Sequence, residues 1–148
     1  MLKKDLTTSY PRSAREKLDG VVQVPRAIDK GIAAANGTNG EYNFDCPMDR
    51  GVFGFLGVDG NDVLAVIKKA ASEAEVDAYF KPFIAKKSGA EIAAFNEQFL
   101  AGGPHDPGSQ AYFDELRNAA APDRTDVTTW VDLLDLDEKR PVPQRVPA

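Results

Sequence analysis

Between residues 72 and 84 the chain reads SEAEVDAYFKPFI. Val76, Tyr79, Phe80, Phe83 and Ile84 recur at three- and four-residue spacing, the strongest helical periodicity in the sequence. Ser72 and Glu75 ahead of them form a capping-box pattern, in which the hydroxyl takes the third helical amide while the glutamate reaches back. Pro82 predicts a kink or an end near Lys81.

The same punctuation runs along the chain. Pro25 leads into Ile28, Ile32 and Ala35 with Gly37 as a stop, and Pro47 leads into Phe53 and Leu56. Asp59 can cap the stripe Val63, Val66, Ile67 and Ala70. A second box, Ser88 to Glu91, leads Ile92, Phe95, Phe99 and Leu100 to the break at Gly102-Gly103-Pro104. Asp106-Pro107 opens a helix carrying Tyr112, Phe113 and Leu116, and a last one holds Trp130, Val131 and Leu134. The fold class expected is all-α: a compact single-domain bundle of about six helices over residues 1–140, with a Pro-rich tail at 141–148. Strand is expected only near residues 20–24 (VVQV) and 41–44 (EYNF), as one short β pair. Val76, Phe80, Phe83, Phe95, Phe99 and Phe113 are expected to share one core.

At 148 residues the chain can bury a sufficient core without disulfides or metals. One cysteine, Cys46, and one histidine, His105, leave too few nitrogen and sulfur ligands for a structural zinc site or an iron–sulfur cluster. EF-hand spacing, phosphate loops and dinucleotide fingerprints are missing, so no cofactor and no metal are expected. MLKKDLTTSYPRS has no apolar signal-peptide core, and the run VLAVI is too short to span a bilayer, which leads to the expectation of a soluble cytoplasmic protein.

Charge is unevenly spread. Residues 1–30 hold seven Lys or Arg against four acids, a net +3, and the other 118 hold 11 against 19, a net −8. An acidic body argues against nucleic acid, and a small cationic patch suits a small anion.

DLTTSYPRSAREKLDG, VPRAIDKGIA, NGEYNFDCPMD and TTWVDLLDLDE, in this order and spacing, resemble the bacterial DUF5069 family, a domain of unknown function. The resemblance runs from about Asp5 to Glu138 and implies a compact helical domain. It supplies no activity, substrate or catalytic residue.

Candidate chemistry therefore rests on the residues alone. Ser13 can cap one short helical turn with Arg12 beside its N-terminus and Arg15 and Lys17 on it, where guanidinium forks favour carboxylate or phosphate; the plainer reading is a solvated basic turn. Arg26, Asp29 and Lys30 project from one helix face and can touch, either as a surface ion triad or as a proton-exchanging site if partly desolvated. Pro47 at the first helical position puts Cys46 beside the N-cap and Asp49 at the third position, where an acid complements the helix dipole. Cys46 reads as a small apolar residue rather than a nucleophile, since its one possible base, His105, lies beyond a chain break. Tyr42 and Glu41 face opposite ways in an extended piece, so only one can line a pocket, and Tyr42 with Phe44 can equally fill the core. DLLDLDE reads as the solvated face of the last helix, whose Trp130, Leu133 and Leu136 could instead dock a partner or a second copy of the chain.

Two functions follow. One is a small cofactor-independent enzyme, a lyase or isomerase acting on a small anionic or aromatic metabolite, with Lys30, Tyr42 and Asp49 catalytic and Arg12, Arg15 and Arg26 binding substrate. The other is a non-catalytic interaction or ligand-binding module.

Overall fold

The computed structural model describes residues 1–146. Its elements are β1 (Lys17–Leu18), β2 (Val21–Val22), α1 (Val24–Asn36), α2 (Pro47–Leu56), α3 (Gly60–Lys69), α4 (Glu73–Ala85), α5 (Gly89–Ala101), α6 (Pro107–Ala120) and α7 (Trp130–Asp137). The chain is mostly helical with one minor β pair, as expected, and has seven helices among the described residues. Contacts group it into two units, Met1–Asn96 and Glu97–Ala148.

The β pair has a different partner from the one expected. Lys17 lies opposite Val22 and Leu18 opposite Val21, while residues 41–44 form no strand. The loop between β1 and β2 is Asp19-Gly20, with φ of 47° and 87°. Positive φ at both central residues gives the twist that a two-residue hairpin requires. At 41–44 the backbone turns instead, with the Tyr42 N–H donating to the Asn39 carbonyl and Asn39 Nδ2 to the Tyr42 carbonyl.

In the first unit α1 is enclosed almost all round: Val24 through Ala33 are all buried. Val24, Ala27, Ile28 and Ile32 pack with Val52, Phe53 and Leu56 of α2, Val63 and Ile67 of α3, and Val76, Phe80 and Ile84 of α4. A Cβ on Gly31 would stand 2.5 Å from Ile67 Cδ1 and 3.0 Å from Phe44 Cε1, so α1 approaches α3 at a distance that glycine allows.

α4 departs from its sequence pattern twice. Ser72 makes no side-chain cap; Glu75 reaches back to the Ala71 N–H at 2.9 Å, one residue earlier than a box requires. Nor does Pro82 end the helix, which runs on to Ala85 because Phe80 and Ile84 are anchored in the core on either side of it. The box at Ser88 and Glu91 forms in both directions, each bond 3.1 Å.

The second unit has its own core of Phe113, Val127 and Leu133, packed by Leu116, Trp130, Leu136 and Val142. Phe113 therefore does not share a core with Phe80, contrary to the expectation. At the Gly102-Gly103 break the Trp130 N–H donates to the Gly102 carbonyl at 3.0 Å, and a Cβ on Gly103 would fall 2.5 Å from the Thr128 carbonyl oxygen. That close approach brings α7 to the break, and α6 packs against α7.

Of the acids in DLLDLDE, Asp137 is exposed as expected, but the other three are not solvated. Asp132, Asp135 and Glu138 are 3%, 4% and 2% exposed. Their three-residue spacing makes a stripe, and arginines from the following segment meet it. Arg145 grips Asp132 with two bonds of 2.9 and 3.0 Å, while Arg140 reaches Glu138 and Asp135. The Arg145 N–H donates to Asp126 at 2.8 Å, and Arg124 holds the carbonyls of Val142 and Pro143. Residues 140–146 are thus strapped down, and the last two residues of the expected tail lie outside the described residues. Among the described residues no helix is long and apolar enough to cross a membrane.

Candidate functional site

Charged residues inside a helix that is buried all round need partners, because an unpaired interior charge costs several kcal/mol. Arg26, Asp29 and Lys30 of α1 are 2%, 1% and 4% exposed. Of the two readings of these residues, the surface ion triad is excluded: two non-helical segments, residues 4–12 and 42–46, cover that face and bring partners to it.

Lys30 and Asp49 form the innermost pair. Lys30 Nζ stands 3.0 Å from Asp49 Oδ2, with the two side chains 5% and 0% exposed. The amine also donates to Cys46 Sγ at 3.2 Å. Asp49 occupies the third position of α2, as its place after Pro47 predicts, and accepts the Asp45 N–H at 3.0 Å. Its other oxygen accepts Gln23 Nε2 at 2.9 Å. Cys46 is the N-cap of α2 yet makes no side-chain cap, its sulfur being turned to Lys30. An amine, a carboxylate and a thiol at bonding distance with little water can share or pass a proton.

Asp29 is a second node. One oxygen accepts Lys4 Nζ at 2.8 Å and Arg12 Nη2 at 2.9 Å; the other accepts the Arg12 N–H at 2.8 Å and Nε at 3.0 Å. Burial pushes the Asp29 carboxyl up, but the bonds from Arg12 and Lys4 outweigh it and hold it below the ordinary aspartate value. Arg12 also pairs with Glu73 at the start of α4. Arg26 donates to the Arg12 carbonyl at 3.2 Å, and its guanidinium lies 5.6 Å from the centre of the Tyr42 ring, within cation–π range.

Of the residues singled out from sequence, Lys30 and Asp49 are in direct contact, and Arg12, Arg26 and Tyr42 form a chain of contacts along the same helix. Arg15 is exposed in the short turn expected after Ser13, whose hydroxyl accepts the Arg15 N–H at 3.2 Å. Glu41 is exposed, and His105 lies at the surface in the second unit, 88% exposed. Phe44 packs against the main core and Tyr42 is half-buried. Sequence reasoning missed Gln23, hidden in VVQV where it was read as strand. A lone amide among valines just before Pro25 was the available signal. Lys4 and Glu73 were missed as well, and nothing local marks them.

Comparison with known proteins adds one fact. The sequence profile of the family described as Domain of unknown function (DUF5069) matches residues 8–140. The chain belongs to the DUF5069 family. No curated protein matches it. The DUF5069 span contains the whole Gln23, Lys30, Cys46 and Asp49 cluster together with Arg12, Arg26 and Tyr42, whereas Lys4 and Arg145 fall outside it.

Proposed function

We propose that this DUF5069 protein is a small cytoplasmic enzyme that needs no cofactor, a lyase or isomerase that moves a proton on a small anionic or aromatic molecule. The observation that carries the reading is the Lys30–Asp49 pair, 3.0 Å apart and almost wholly withdrawn from water, with Cys46 as a second acceptor on the amine. A pair of this kind adds little net stability compared with apolar packing, and it holds an amine and a carboxylate at a distance a proton can cross. Lys30 is the proton carrier, Asp49 orients it, and Tyr42 is the second acid. Arg26, stacked on Tyr42, supplies the cation for a substrate anion. Arg15 is the exposed cation on the approach. Arg12 binds substrate only by giving up Glu73.

The interaction-module reading has less support. Leu133 is buried, and Trp130 and Leu136 pack against the core of the second unit, which leaves α7 little apolar surface for a partner.

The test is proton exchange. The purified chain is incubated in D2O with a panel of small carboxylic and phenolic acids, and carbon-bound deuterium is read by mass spectrometry. At least one compound should gain deuterium. Lys30→Gln, which keeps a donor for Asp49, should slow that gain by about 10²-fold or more with an unchanged circular dichroism spectrum. No exchange with any compound, or exchange indifferent to Lys30→Gln, removes the proposal.

A further inference from the structure

Gln23 carries two costs at once. It is fully buried at 0% exposure, and its backbone sits at φ 72°, ψ −25°, in the left-handed region that side-chain-bearing residues avoid. Its amide nitrogen is committed to Asp49, yet its amide oxygen is buried without a partner. A buried unpaired acceptor and a left-handed backbone are each destabilising. A glycine would relax the backbone, and a methionine would fill the space with no unpaired oxygen. Strain retained beside a proton-sharing cluster is what a site built for a ligand shows.

The donors and acceptors around it define what would fit. Asp49 has both oxygens engaged, one by Gln23 and the other by Lys30 and the Asp45 N–H. Lys30 has two of its three donors directed at Asp49 and Cys46. What the cluster still offers is one ammonium donor on Lys30 and one amide acceptor on Gln23. We infer that Gln23 is the specificity-determining residue of this site, its amide oxygen selecting small carboxylates that carry a hydroxyl or amine, hydroxy or amino acids, over their unsubstituted counterparts. The inference rests on the enzyme reading above and deepens it. A site with a fixed polar acceptor rejects an analogue that lacks the matching donor far more strongly than an apolar pocket rejects an extra group.

Matched probe pairs test it: glycolate with acetate, lactate with propionate, and 4-hydroxybenzoate with benzoate. Each is titrated into the full chain and its Kd read by NMR. The hydroxylated member of at least one pair should bind about tenfold more tightly, the size of one buried hydrogen bond. Gln23→Met should bring the two members to within about twofold of each other. Gln23→Asn keeps the amide and tolerates a left-handed backbone, so it should fold even if Gln23→Met does not, and should retain only part of the selectivity. Lys30→Gln should weaken both members alike. Equal binding within every pair, with dependence on Lys30 intact, overturns the role of Gln23 and leaves the enzyme reading standing. Selectivity that survives Gln23→Met overturns it too. Binding of no probe at all removes both.

Discussion

Removing one partner of a buried ion pair strands the other charge, so the Lys30–Asp49 contact can be weighed by a double-mutant cycle. Lys30→Met should cost about 3–5 kcal/mol by urea unfolding, and far less when Asp49 is already Asn, because no charge is then left in the interior. Equal costs in both backgrounds would mean that the pair is not coupled. Asp29 makes a prediction in pH. Its folded value is lowered, so its contribution is fully present above the unfolded carboxyl value of about 3.9 and is lost as pH falls through the folded value. Arg12→Gln should flatten that acid limb, read as the melting temperature against pH, since it removes the side-chain bonds that hold the carboxyl down. At this scale the sequence was partly legible. The three- and four-residue spacing of Arg26, Asp29 and Lys30 put them on one face. It could not say that the irregular segments carrying Lys4, Arg12, Tyr42 and Cys46 would fold over that face and bury it.

Whole elements were easier to read where the backbone signal was local. Asp59 and Asp106 cap α3 and α6, and Gly37 and Gly57 end α1 and α2 in left-handed conformations. The hairpin is equally local, for Asp19-Gly20 is a strong turn signal, but pairing VVQV with EYNF as extended pieces passes over it. α4 is a case of the opposite kind. Pro82 acts against the helix, and tertiary anchoring of Phe80 and Ile84 overrides it at a cost. Pro82 is exposed, so Pro82→Ala gives up little packing and returns an N–H to the helix ladder. The substitution should raise unfolding stability by about 1 kcal/mol or more, seen as a higher urea midpoint with an unchanged slope. An unchanged or lowered midpoint would show that proline's stiffening of the unfolded chain outweighs the lost bond.

For the molecule as a whole, the two units differ in how they are held. The first is built around a large apolar core, whereas the second sets the small cluster of Phe113, Val127 and Leu133 beside a network of acids and arginines. Amide hydrogen exchange should therefore be slower in α1 than in α7. Arg145→Ala should speed exchange across residues 124–138 while leaving residues 24–33 unchanged; a uniform rise would mean that the units open together. The charge split seen in the sequence, positive over the first 30 residues and negative beyond, gave no hint of this, because net charge is blind to which acids are paired. The strap formed by residues 140–146 also bears on how the protein is handled. A proteolytic nick before Arg140 takes away Arg140 and Arg145 and, with them, their bonds to Asp132, Asp135 and Glu138. The clipped chain is then a charge variant, which an anion-exchange column retains longer than the intact one, and a single sharp peak becomes a criterion of an intact C-terminal segment.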